Sequence, residues 1–161
     1  GFVGSTHARF SDFVYGPGAV IAYIRTLPSR TAAKFAGHNP LGGISVVLIL
    51  LCVLVQTGTG LFSNDDILTE GPLYKHVTKE LSDWLTTIHK YNFNLLLALI
   101  GVHISAVLFY LFYKSENLIK PMFTGCKHLP AGTAPATMRS ALLAVILLAV
   151  CAAGVWALIR I

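Results

Sequence analysis

Charged residues are scarce in this 161-residue chain: they make up 12% of it, whereas hydrophobic residues make up 55%. A soluble domain is about a quarter charged, so the composition indicates that lipid surrounds much of the chain. Twelve Lys and Arg against seven Asp and Glu give a net charge of +5. Because the basic residues lie singly between apolar runs and form no dense stripe, the sequence argues against a nucleic-acid-binding protein.

Cysteine is also scarce, and its placement argues against a disulfide framework. Cys52 and Cys151 lie inside apolar runs and are predicted to act as small apolar residues, while Cys126 is predicted to be a loop thiol. The first residues, "GFVGSTHARF", lack the charged, apolar and cleavage regions of a signal peptide. They also lack an initiating Met, so the native N-terminus need not be Gly1.

Long apolar runs are what the sequence does contain. Three of them are long enough to cross a membrane as a helix, which takes about 20 residues: 41–62, 83–113 and 141–159. Ser82 is the predicted N-cap of the second span. Because a lone apolar strand cannot satisfy its backbone in lipid, we predict an all-α transmembrane helical bundle that forms a single membrane domain over residues 1–161.

The loops predict how the chain is oriented. A shorter apolar segment, residues 17–27, is predicted to lie along the headgroups as an interfacial helix. Basic residues dominate the segment before the first span and the loop after the second, whereas loop 63–82 holds most of the acidic residues. By the positive-inside rule, segment 1–40 and loop 114–139 are cytoplasmic, and loop 63–82 lies on the opposite side of the membrane, as in a multi-pass protein.

Two histidines interrupt the second span, and their spacing is informative. His89 and His103 are fourteen residues apart, which leaves them about 40° apart around a helix and roughly 21 Å apart along its axis. Ionisable groups inside a membrane are costly and indicate a function, and neutral imidazole is a good axial ligand for haem iron. The spacing suits two haems, one near each leaflet, each bound from this helix and from a facing helix.

Other residues are candidates for contacts with such a cofactor. Apolar side chains continue the histidine face, and we call them the apolar wall: Phe93, Leu96, Ile100 and Val107. Polar residues that could contact a haem propionate or a quinone are Arg9, His38, Asn39 and Lys90. His38 could equally be a polar cap at the interface. Because no CxxCH motif occurs, covalent c-type haem attachment is excluded.

Several alternatives to haem ligation stay open. Each histidine could hydrogen-bond another helix as a packing residue. A proton relay is a second rival, although the span offers no buried Asp or Glu. A zinc site is disfavoured, because histidines fourteen residues apart cannot reach one ion. A haem-free membrane anchor and a small transporter subunit are the further rivals at the level of the whole protein.

A set of sequence elements carries a resemblance to a known family. They lie between residue 1 and about residue 125: "GFVGSTHARFSDF", "GHNPLGG", "GLFSNDDI", "LSDWLTTIHKYNFNLLLALIGVH" and "ENLIKPMFTG". Together they resemble the bacterial cytochrome b561 family, which includes the cytochrome b subunits of nickel-iron hydrogenases. The resemblance implies a quinone-linked, di-haem b electron carrier of the respiratory chain, with His89 and His103 as one axial ligand to each haem iron. Its implied partner is a c-type cytochrome or a dehydrogenase or hydrogenase subunit.

The chain departs from the family's pattern at its start. Members of this kind have two further helices upstream, each supplying the opposite ligand, and "GFVGSTHARF" resembles the segment just after the second of them. Three explanations stay open. The chain is a piece of a longer protein, or the missing helices belong to a separate chain, or a parallel homodimer pairs each histidine with its symmetry mate.

Overall fold

The computed structural model describes residues 1–31, 33–129, 132–133 and 136–160, and most of these residues are helical. Its α-helices, in chain order, are α1 (Phe10–Phe13), α2 (Pro17–Ile24), α3 (Pro40–Gly60), α4 (Lys79–Phe112), α5 (Ile119–Thr124) and α6 (Ala141–Leu158). The described residues contain no strand beyond an isolated bridge between Asn64 and Glu70. The predicted all-α fold is therefore confirmed.

Three of these helices, α3, α4 and α6, are long and apolar enough to cross a membrane. They fall on the three predicted spans, and their ends differ from the predicted ends by at most four residues. Nearly all of α6 is exposed, and its side chains are apolar, as lipid-facing surface requires.

The start of α3 follows from two consecutive residues, Asn39 and Pro40. Asn39 accepts a hydrogen bond from the Gly42 amide at 2.7 Å through its side-chain oxygen, which satisfies one of the unpaired amides of the first turn. Pro40 follows as the first helical residue, where its missing N–H costs nothing. The side chain of Asn39, a predicted cofactor contact, is thus engaged in capping the helix.

The start of α4 corrects the sequence prediction. The helix begins four residues before the predicted start, at Lys79, and the Thr78 hydroxyl accepts from the Leu81 amide at 3.4 Å. Ser82, the predicted N-cap, is fully buried inside the helix, and its hydroxyl donates to the Phe62 carbonyl at 2.6 Å. The prediction was wrong because the local sequence does not distinguish a serine that caps a helix from one that bonds the loop after α3, as Ser82 does through the Phe62 carbonyl.

The short helix α2 ends three residues before the predicted end of the interfacial segment. The turn that follows α2 is held by the two residues just after α4. The buried Lys114 ammonium donates to the Thr26 carbonyl at 3.0 Å and to the Ser29 carbonyl. The Tyr113 hydroxyl donates to the Pro28 carbonyl at 2.7 Å. These bonds give partners to backbone carbonyls of the turn after α2, which has no regular secondary structure to pair them.

The chain divides into two compact units that differ in what they bury. The first unit, residues 1–48 and 99–139, buries mainly aromatic and apolar side chains, among them Phe13, Val20, Tyr23 and Tyr110. The second unit contains residues 49–98 and the C-terminal helix α6. Its buried side chains are mostly polar, namely Thr59, Asn64, Ser82 and Asn92, together with Cys52.

Candidate haem-binding site

One set of residues along α4 is buried or half-buried at every position and forms a stripe on the helix. They recur every seven residues, which is about two turns; we call Ser82, His89, Leu96, His103 and Tyr110 the α4 stripe. Ser82 and Tyr110 are buried, and the other three are half-buried. The two histidines are therefore two repeats apart on the same stripe, as their spacing predicted.

The four residues of the apolar wall differ in their exposure. Leu96 belongs to the stripe, and Val107 is half-buried like its members. Phe93 and Ile100 are more exposed, at 49% and 39% of their surface. Contact of these four side chains with a haem stays a prediction, but only Leu96 and Val107 share the low exposure of the histidines.

His89 is held from both ring nitrogens by side chains of α3. The Thr59 hydroxyl oxygen lies 3.1 Å from Nδ1, and the Gln56 amide nitrogen lies 2.8 Å from Nε2. Gln56 is itself held by Asn92 of α4, whose amide nitrogen lies 2.6 Å from the Gln56 oxygen. The imidazole is consequently fixed in orientation, because two hydrogen bonds on opposite sides of a ring prevent its rotation.

A glycine makes room for the His89 ring. A Cβ atom added to Gly60 would lie 3.1 Å from Cε1 and 3.4 Å from Nδ1 of His89. By contrast, an added Cβ at Gly58, two residues earlier, would meet no atom within 4 Å. The need for glycine is thus local to the position that faces the imidazole.

His103 has different surroundings. Among the described residues, its ring makes no hydrogen bond, and its polar neighbour is His38. The His38 ring packs on Phe13 with 5.1 Å between centroids. Desolvation of the His38 ring lowers the pKa of His38 below its ordinary value, and a charge on His103 lowers it further. The structure therefore brings the predicted contact residue His38 close to His103.

The remaining predicted contact residues lie elsewhere. Arg9 donates from Nε to the Gly4 carbonyl at 3.0 Å and is half-buried. Lys90 is exposed and lines a polar cleft that also includes Asp83 and Thr87. Within the described ranges, neither Arg9 nor Asn39 forms a hydrogen bond with a histidine of the stripe.

The residues that sequence reasoning missed are Gln56, Thr59 and Asn92. Their pattern offered a clue, since Gln56 and Thr59 are three residues apart in one apolar run, and His89 and Asn92 are three apart in another. Residues at that spacing share a helix face. Polar pairs on two membrane helices are good candidates for an interhelical hydrogen-bond network.

A haem fits this arrangement better than a metal ion bound by several side chains. In the part of the chain that the structure describes, no three His, Cys, Asp or Glu side chains gather at one point. The porphyrin provides the equatorial ligands of a haem iron, so each histidine needs to provide only one axial nitrogen. His89 and His103, half-buried on an apolar helix with one imidazole each, meet that requirement.

Comparison with known proteins gives one match. A family model described as prokaryotic cytochrome b561 matches residues 6–125. The matched region covers most of the chain, includes α1 to α5 with both histidines of the α4 stripe, and stops before α6. No curated protein and no solved structure matches the chain.

Proposed function

Because this chain belongs to the prokaryotic cytochrome b561 family, we propose that it is a di-haem b-type cytochrome that carries electrons across the cytoplasmic membrane. Family membership and three apolar helices support the coarser statement, a membrane cytochrome b of electron transport. The observation that carries the finer one is the α4 stripe, on which His89 and His103 stand two repeats apart among apolar residues.

In this proposal each histidine holds one haem. His89 and His103 each give one axial nitrogen, and the opposite ligands come from helices upstream in a longer chain or from a second chain. A haem b supplies, when bound, an iron that accepts and releases one electron. The chain orients the two imidazoles from one rigid helix. Leu96 keeps water from the space between them, and Val107 does so one turn beyond His103.

The proposal also assigns sides and partners. Segment 1–40 and loop 114–139 are cytoplasmic and loop 63–82 is periplasmic, as supported by the excess of Lys and Arg in the first two regions. His103 then serves the cytoplasmic haem and His89 the periplasmic one. Electrons pass between quinone and a periplasmic c-type cytochrome or a dehydrogenase or hydrogenase subunit. His38, Arg9 and Asn39 are the proposed propionate or quinone contacts, of which His38 is supported by its proximity to His103.

A haem count on the protein purified from its native membranes tests this function. The reduced-minus-oxidised spectrum with pyridine haemochrome quantification is expected to give two b-type haems for the wild type and about one each for His89→Ala and His103→Ala. The control is His76→Ala, since His76 is exposed and lies outside α4. Unchanged haem content in both stripe variants would contradict the ligand assignment.

One observation favours a second candidate, a haem-free membrane anchor that docks a partner redox enzyme. Both ring nitrogens of His89 already have partners within the chain, which is what a packing histidine requires. The anchor predicts no Soret band in the purified protein. It also predicts that His89→Ala weakens the structure without removing any redox centre.

A further inference from the structure

The hydrogen bonds around His89 run in one direction, which the backbone acceptors at both ends determine. At one end, the Thr59 hydroxyl has a single hydrogen, and the Val55 carbonyl lies 2.7 Å from its oxygen. A carbonyl can only accept, so the hydroxyl donates to it. The Thr59 oxygen must therefore act as an acceptor toward His89 Nδ1 at 3.1 Å.

The other end of the network starts at Asn92. Its amide nitrogen lies 2.8 Å from the Cys52 carbonyl and 2.6 Å from the Gln56 side-chain oxygen. Asn92 donates both hydrogens there, and this fixes the Gln56 amide with its oxygen toward Asn92. The Gln56 nitrogen is left facing His89 Nε2 at 2.8 Å and donates to it.

Both ends give the same answer for the imidazole. Nδ1 carries the hydrogen because its neighbour is an acceptor, and Nε2 carries the lone pair because its neighbour is a donor. This is the tautomer that binds a metal through Nε2. The assignment depends only on residues of α3 and α4 within the second unit.

We propose that Thr59 is a positioning residue that holds His89 in the tautomer required for iron ligation. The inference rests on the proposed function and extends it to a residue that does not touch the haem iron. Accepting a hydrogen bond from Nδ1 makes Nε2 more basic, and such a partner commonly changes metal affinity by about 10- to 100-fold. Gln56 donates to the lone pair of Nε2 at 2.8 Å, so it would have to give up this bond for iron to bind there.

The tautomer is tested first without haem. Histidine ¹⁵N shifts of the haem-free protein are expected to show His89 with its hydrogen on Nδ1 in the wild type. In a Gln56→Leu background, where Thr59 is the remaining partner of the ring, Thr59→Val keeps the shape, removes the acceptor and should give a mixture of tautomers. With Gln56 present, Thr59→Val should still change the Nδ1 shift, because the Nδ1 hydrogen loses its acceptor, and Thr59→Ser should restore the wild-type shifts. A wild-type His89 with its hydrogen on Nε2, or unchanged shifts in Thr59→Val, would overturn the proposal.

The consequence for haem is tested with the same variants and a matched control. Thr57 lies on the same helix, is exposed and donates only to its own helix, to the Val53 carbonyl at 2.9 Å among others. Thr59→Val should lower haem affinity by about tenfold or more and shift the midpoint potential of one haem to more positive values. Thr57→Val and Thr59→Ser should match the wild type.

The outcomes separate this inference from the proposed function. A wild-type protein without haem contradicts the function and with it the iron-binding role of His89. Haem bound by wild type and by Thr59→Val with equal affinity and equal potential contradicts the role of Thr59 alone.

Discussion

The two histidines of the α4 stripe occupy equivalent positions on the helix but differ in the hydrogen bonds that their rings make. His89 is fixed by Thr59 and Gln56 through both ring nitrogens. His103 makes no hydrogen bond to any described residue and has the imidazole of His38 as its polar neighbour. Helix periodicity therefore determines the position of each histidine on α4. Hydrogen bonds from the neighbouring helix determine whether the imidazole already has a fixed orientation before a cofactor binds.

The same contrast extends to the surroundings of each histidine. The unit that contains His89 buries polar side chains that bond to one another, such as Asn64 to Ser82 at 2.6 Å. The unit that contains His103 buries aromatic residues, and Tyr23 and Tyr110 meet there through their hydroxyls. Burial and the bond to Tyr110 raise the pKa of Tyr23 well above its ordinary value. We infer that the His89 site is the more rigid of the two.

The largest expected effect comes from filling the space beside His89. Gly60→Val should push the imidazole out of position and remove the haem that His89 binds, because even a Cβ would lie 3.1 Å from its ring. The haem count should fall by about half, and the remaining haem should be the one at His103. Gly58→Val is the matched control, since Gly58 has open space around it. A full haem count in Gly60→Val would contradict this account, because the position of the His89 ring would then not require a glycine at residue 60.

A smaller effect is expected from cutting the network at Asn92. Asn92→Leu keeps the volume but leaves the Cys52 carbonyl and the Gln56 oxygen without their donor. The free energy of unfolding in detergent should fall by about 1–2 kcal/mol. Asn94→Leu, an exposed position on the same helix, should change stability little. Equal stability of both variants would show that the buried network does not stabilise the second unit.

Some of the features behind these predictions could be predicted from the sequence, and others could not. The three spans and the shared face of His89 and His103 could be predicted, because long apolar runs and residue spacing determine them within one helix. Ser82 could not, since its role depends on the Phe62 carbonyl arriving from another element. The bonds from Gln56 and Thr59 to His89 also require the register between α3 and α4, which no single-helix pattern contains.

The smallest effect concerns the loop before α4. The Asp65 carboxylate accepts from the amides of Thr69, Ile67 and Leu68 at 2.8–3.0 Å, and these bonds hold its pKa well below the usual range. A depressed carboxyl pKa means that the stabilisation is present above the ordinary pKa of about 4 and is lost as pH falls through the lower folded value.

This prediction is tested by following the NMR chemical shifts of the Ile67, Leu68 and Thr69 amides as a function of pH. They should keep their shifts down to about pH 4 and move together only at lower pH. In Asp65→Ala all three should sit at loop-like values at every pH. Independent titration of each amide, or movement centred near the ordinary carboxyl pKa, would contradict the account of this loop.

The central claim is that α4 gives one axial ligand to each of two haems, and a redox titration followed by visible absorbance tests it most directly. We expect the wild type to titrate in two waves, with His89→Ala removing one wave and His103→Ala removing the other. Loss of the same wave in both variants, or two intact waves in either one, would contradict the claim.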